Sequence, residues 1–99
     1  MKTKWKPNMS EINQTKLAEV LESQNATLVD VREVIEFNDF NIGGINIPAH
    51  LLNENLEKLR QFDVLIIACS NGTISHIMQR VFKKKLPEKT ILHLTGGIY

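Results

Sequence analysis

The sequence predicts an α/β domain: a central, mainly parallel five-stranded sheet with helices on both faces. Short β-rich runs alternate along the chain with stretches whose apolar residues fall at helical spacing. The connections are short, and that alternation favours parallel strands joined by crossover helices. One run, VLIIA at Val64–Ala68, is apolar throughout and rich in β-branched residues, the pattern of a strand buried on both faces.

Residues 1–9 place Lys2, Lys4 and Lys6 around Trp5 before Pro7, and are expected to form a loose arm with Trp5 covering one end of the core. Residues 10–12 fit a short strand. Asn13 is an N-cap candidate for a helix over residues 14–23, with Leu17, Val20 and Leu21 on one face. Residues 24–26 read as a turn. TLVDV at 27–31 is a core strand in which Asp30 and Arg32 alternate with apolar positions and share one side. It runs into Glu33 and Glu36, with Phe37 and Phe40 supplying bulk; Gly43 and Gly44 then break the pattern before a short strand over 45–47 ended by Pro48. Asn53 is expected to cap a helix running to about Gln61, with Leu52, Leu56 and Leu59 on one face and Glu54 in its first turn. After the buried strand, Ile74, Ile77, Met78, Val81, Phe82 and Leu86 follow helical spacing, Lys83, Lys84 and Lys85 occupy the last turns, and Pro87 stops the helix. Residues 90–94 form the last strand, and Gly96 and Gly97 turn the chain away from it.

Composition narrows the function. Ninety-nine residues suit one domain, assigned to residues 1–99, and a formal net charge of +1 carries no field that would recruit nucleic acid or an acidic membrane. No apolar span approaches the length of a transmembrane helix, and the N-terminus lacks the apolar core of a secretory signal, so a cytoplasmic location is expected. His50, His76 and His93 lie on separate segments without metal-ligand spacing, so neither a metal nor an organic cofactor is expected. His76 is read as a solvent-exposed residue in the first turn of its helix, near enough to Cys69 to influence it. The lysine run is read as a solvated helix end.

Cys69, the single cysteine, stands at the end of the buried strand, followed by a short polar loop and a helix start. In parallel sheets ligands bind at the carboxyl ends of strands. The segment Ser70, Asn71, Gly72, Thr73, Ile74 and Ser75 offers backbone N–H groups without helical partners, which favour an anion, and Gly72 lets the loop curl. The same donors would lower the pKa of Cys69 and hold a thiolate or a persulfide, while Ser70, Asn71, Thr73 and Ser75 add hydroxyl or amide groups. The competing interpretation is a small inert hydrophobe that finishes a core strand.

The ordered set of motifs resembles the single-domain rhodaneses. It comprises LVDVRE at 28–33, Glu36 with Phe37, IGGINIP at 42–48, IIACSNG at 66–72 with Ser75, and LTGG at 94–97. The resemblance implies a rhodanese-like fold and a sulfurtransferase in which Cys69 carries sulfane sulfur as a persulfide to a thiol or cyanide. It implies that residues 70–75 cradle the sulfur and that Asp30 and Arg32 support the fold beside the site, Arg32 being paired with Asp30 or a nearby glutamate. Many rhodaneses carry an arginine where this chain has Ile74, so thiosulfate is expected to be a poor donor and a polysulfide or persulfide a better one. Mercaptopyruvate sulfurtransferases also lack that arginine but usually have glycine where Ser70 stands. Partners are then a small sulfur donor, a thiol acceptor and a possible partner protein, with the chain expected to act as a monomer. The dual-specificity phosphatases of the same fold need a longer loop closed by arginine, and no arginine follows Cys69 before Arg80. The alternative function is a non-catalytic rhodanese-like module that binds a partner or senses redox state through Cys69.

Overall fold

The computed structural model describes residues 10–99; the expected N-terminal arm with Trp5 lies outside them. The elements run β1 (Glu11–Ile12), α1 (Gln14–Ser23), β2 (Ala26–Asp30), α2 (Val34–Asp39), β3 (Ile45–Asn46), a 3-10 segment (Ala49–Leu59), β4 (Val64–Ala68), α3 (Thr73–Lys85) and β5 (Thr90–Leu94). Every strand pairing is parallel, in the order β1-β5-β4-β2-β3, so β4 lies at the centre.

Alternation along β4 divides the core. Leu65, Ile67 and Cys69 face one apolar cluster, with Phe82 of α3, Leu86 at its C-cap and Leu52 and Leu59 of the 3-10 segment. Val64, Ile66 and Ala68 face the other, with Leu17 and Val20 of α1. Helix α1 begins where Asn13 accepts the Lys16 N–H at 3.1 Å. Leu21, expected on its buried face, is 37% exposed.

Three local expectations need correction. The helix expected from Asn53 starts earlier, at Ala49 behind Pro48, and is a 3-10 segment, so Glu54 lies beyond its first turn. Helix α2 was not foreseen; it buries none of its residues and is held by a capping box in which the Glu33 N–H donates to Glu36 Oε1 at 3.2 Å. Along α3, Ile74 and Ile77 face outward at 49% and 56% exposure, and the buried positions are Ser75, Gln79 and Phe82. That face tolerates polar groups because each is satisfied: the Gln79 amide donates to Ser10 O and to Ile91 O.

Candidate functional site

The β4 strand delivers Cys69 to the carboxyl edge of the sheet, and the next three residues turn into α3. Gly72 is the N-cap, at φ +92°, a left-handed conformation in which a β-carbon would be strained. The turn aims two backbone donors at the thiol: the Gly72 and Ser75 N–H groups each reach Sγ at 3.2 Å. The Asn71 side chain accepts the Thr73 N–H at 3.0 Å, so Asn71 caps the loop and the Thr73 N–H is not aimed at the sulfur. Burial pushes the Cys69 thiol up, but the Ser75 N–H and hydroxyl, with the Asn71 and Gly72 N–H groups, outweigh it and leave the pKa below the ordinary cysteine value. Cys69 is 4% exposed.

A second segment braces the loop. Ile98 N–H donates to Cys69 O at 2.9 Å. Gly97, at φ +77°, lies so close that an added β-carbon would come within 2.2 Å of Ser70 O. Gly97, the second glycine after β5, is therefore a packing requirement of the cysteine loop.

Above the sulfur opens a pocket of about 470 Å³, lined by Cys69, Ser70, Asn71 and Ile74 on one side and by Arg32, Glu33, Glu36 and His50 on the other. Arg32 is not free to meet a ligand. Its Nε donates to Asp30 Oδ1 at 3.0 Å and its Nη2 to Oδ2 at 2.8 Å, with both side chains almost fully buried. Nη2 also donates to Phe40 O and Nη1 to the Tyr99 hydroxyl, and Tyr99 stacks on Phe40. The Asp30 hydrogen bonds hold the guanidinium in its charged form against the opposing effect of burial. His50 lies 3.7 Å from the exposed Glu33 carboxylate. Ile74, in the position where a family arginine would stand, presents an apolar side chain to the mouth.

The structure thus gathers Cys69, Gly72, Ser75 and the Asn71 backbone around one sulfur, with Ser70 and Ile74 on the pocket wall and Asp30–Arg32 beneath it. Glu33, Glu36 and His50 also line the pocket; the two glutamates lie within the motifs, which do not single them out as site residues, and His50 carries no motif signal. On the far side of the loop, His93 of β5 lies 3.3 Å from the Ser75 hydroxyl. The sequence signal for it was slight: one polar residue inside the strand TILHL.

Among described residues, no group of three or more His, Cys, Asp or Glu is arranged to hold a metal ion, and no helix is long and apolar enough to cross a membrane. No curated protein matches the sequence. Among solved structures, a rhodanese-related protein from Thermoplasma volcanium is 27% identical, with a TM-score of 0.72 over 89% of this chain and 85% of that one. Reduced CoADR-RHD of Bacillus anthracis is 24% identical, with a TM-score of 0.75 over 90% of this chain. A thiosulfate sulfurtransferase from Pseudomonas aeruginosa is 18% identical, with a TM-score of 0.79 over 95% of this chain. The chain spans only 16% and 18% of the last two proteins. The family model of the rhodanese-like domain matches residues 13–99. A parallel sheet ending in a cysteine loop, matched by that model over nearly the whole chain, places this protein in the rhodanese-like domain family.

Proposed function

We propose that the protein is a sulfurtransferase that carries sulfane sulfur on Cys69. The observation that carries this reading is the pair of backbone N–H groups, from Gly72 and Ser75, converging on Sγ at the floor of a pocket. Neutral donors fixed by a helix start stabilise an anion without a counter-ion, which suits both a thiolate and the persulfide that replaces it.

The Cys69 thiolate attacks the outer sulfur of a donor R–S–S⁻. A new S–S bond forms, the donor's S–S bond breaks, and R–S⁻ leaves with the electron pair. The Cys69 persulfide is then attacked at its terminal sulfur by a thiolate or cyanide, and the Cys69 thiolate is regenerated. Sulfur moves at constant total oxidation state, so no external oxidant or reductant enters the cycle.

The pocket favours a polysulfide or persulfide over thiosulfate. Arg32 is committed to Asp30, Ile74 supplies no charge, and the Glu33 and Glu36 carboxylates line the wall, so nothing in the pocket pairs with thiosulfate's sulfonate oxygens, whereas a persulfide or polysulfide brings only its sulfur chain to the amide pair. The exposed Ile74 at the mouth, with Val34 and Ile35 on α2 directly after the pocket-lining Glu33, suits a protein as donor or acceptor. A reducing, cytoplasmic setting fits a working free thiol.

The test is the intact mass of the protein after exposure to polysulfide and, separately, to thiosulfate. Polysulfide adds one sulfur atom, the addition is lost in Cys69→Ser, and thiosulfate adds less. No adduct from either donor, in a protein whose thiol still reacts with a small alkylating reagent, supports the non-catalytic binding module instead.

A further inference from the structure

Behind the cysteine loop lies a set of polar groups that the pocket does not use. Strand alternation puts His93 on the same face of the sheet as Ile91, toward α3, and the parallel register sets Glu11 of β1 directly opposite it. His93 Nδ1 is 3.3 Å from Ser75 Oγ, and its Nε2 is 3.5 Å from Glu11 Oε2. Ser75 is fully buried, and its own N–H already holds Cys69 Sγ. A line of polar groups therefore runs from the exposed Glu11 carboxylate through His93 and Ser75 to the sulfur.

Ser75 has one hydroxyl hydrogen and two acceptors within reach of it: Gly72 O at 3.2 Å and His93 Nδ1. Glu11 selects among the ring's proton arrangements. A carboxylate beside Nε2 favours the proton there, which leaves Nδ1 of the neutral ring as an acceptor for the serine. Once the ring is protonated, Nδ1–H donates to Ser75 Oγ instead, and the serine hydrogen must turn to another acceptor.

We propose that His93 is a positioning residue for Cys69, acting through Ser75, whose N–H holds the sulfur: protonation of the ring reverses the hydrogen bond at Ser75 Oγ and sets a positive charge behind the loop. The inference rests on the reading of Cys69 as a working thiolate, but it concerns how the thiolate is tuned, and its test needs no sulfur transfer. That positive charge favours the anion, and the neutral ring does not supply it. The groups facing His93 are Glu11 from β1, Ser75 and His76 from α3, the latter ring edge-on at 5.1 Å, and apolar Ile67 on the neighbouring β4. Burial and His76 both lower the His93 pKa and Glu11 raises it, with a net fall below the ordinary histidine value. The change of state therefore falls on the acid side of neutrality.

The experiment is the rate of Cys69 alkylation by iodoacetamide across acid and neutral pH, using the full chain. The logarithm of the rate follows the thiolate fraction with unit slope. In the wild-type protein that line is interrupted by a shallow step, below which the rate lies about threefold or more above the extrapolation from neutral pH. His93→Gln gives one uninterrupted line. Glu11→Gln moves the step to lower pH and His76→Gln moves it to higher pH; both residues are exposed, so these variants keep the test alive if His93→Gln does not fold. A wild-type profile without a step, a step that survives His93→Gln, or a step unmoved by both surface variants overturns the proposal. Alkylation with the expected step, in a protein that acquires no sulfur from any donor, would leave this inference standing and remove the sulfurtransferase reading.

Discussion

Two hydrogen-bonded neighbours in the sheet end in opposite ways. Strand β2 ends at Asp30 and β4 at Ala68, in register with one another, and each leads directly to a group that carries charge. At the β2 end the charges cancel: Asp30 and Arg32 form a bidentate pair with almost no solvent contact. At the β4 end, Cys69 Sγ meets neutral donors, foremost the Gly72 and Ser75 N–H groups. A buried ion pair keeps its charge only while both partners remain, whereas amides at a helix start can hold a negative sulfur that grows, leaves and returns. The difference explains how one pocket can contain an arginine and still offer no free cation to its ligand.

The variants that test this contrast begin with the β4 end. Cys69→Ser abolishes sulfur uptake completely, measured by intact mass, while the chain remains folded by circular dichroism; any residual uptake would place the sulfur elsewhere. At the β2 end the loss is of stability. Arg32→Met leaves Asp30 buried and unpaired, and urea unfolding should show a fall of about 3–5 kcal/mol. A fall below about 1 kcal/mol would mean the pair is dispensable.

Gly97→Ala lies between the two in effect. Its β-carbon meets Ser70 O, and the left-handed conformation alone costs about 1–2 kcal/mol, so unfolding shifts by at least that much. Because the displaced backbone carries the sulfur donors, alkylation of Cys69 near neutral pH should slow as well. Loss of stability with an unchanged alkylation rate would separate Gly97 from the cysteine loop. The smallest change comes from Ile74→Arg, which gives the pocket a free cation and should raise thiosulfate turnover relative to polysulfide turnover. An unchanged ratio would mean that the donor is chosen elsewhere.

The fold was legible wherever burial wrote a periodic pattern. Residues 14–23, 64–68 and 90–94 were read with the bounds the structure has, because a capped amphipathic face or an apolar run marks them. Helix α2 escaped because it buries nothing and is held by the Glu33–Glu36 capping box instead. Ile74 and Ile77 share the helical spacing of Met78, Val81 and Phe82 yet face outward, because an apolar side chain at the rim of a pocket scans like one in the core, while Ser75 and Gln79, the residues facing inward, scan as solvent-exposed. The Asp30–Arg32 pair was open to inference, since two charges on one side of a core strand need each other. The juxtaposition of Glu11, His93 and Ser75 was not, because it depends on the β1–β5 register, across more than 80 residues of chain.

Everything said of the β4 end depends on the amides winning over burial at one sulfur. Ultraviolet thiolate absorbance, titrated in the wild-type protein with Cys69→Ser as the blank, measures that balance directly. A midpoint clearly below that of an unstructured cysteine is the expected result. A midpoint at or above it would mean that burial dominates, that the loop does not stabilise an anion, and that Cys69 is a core residue.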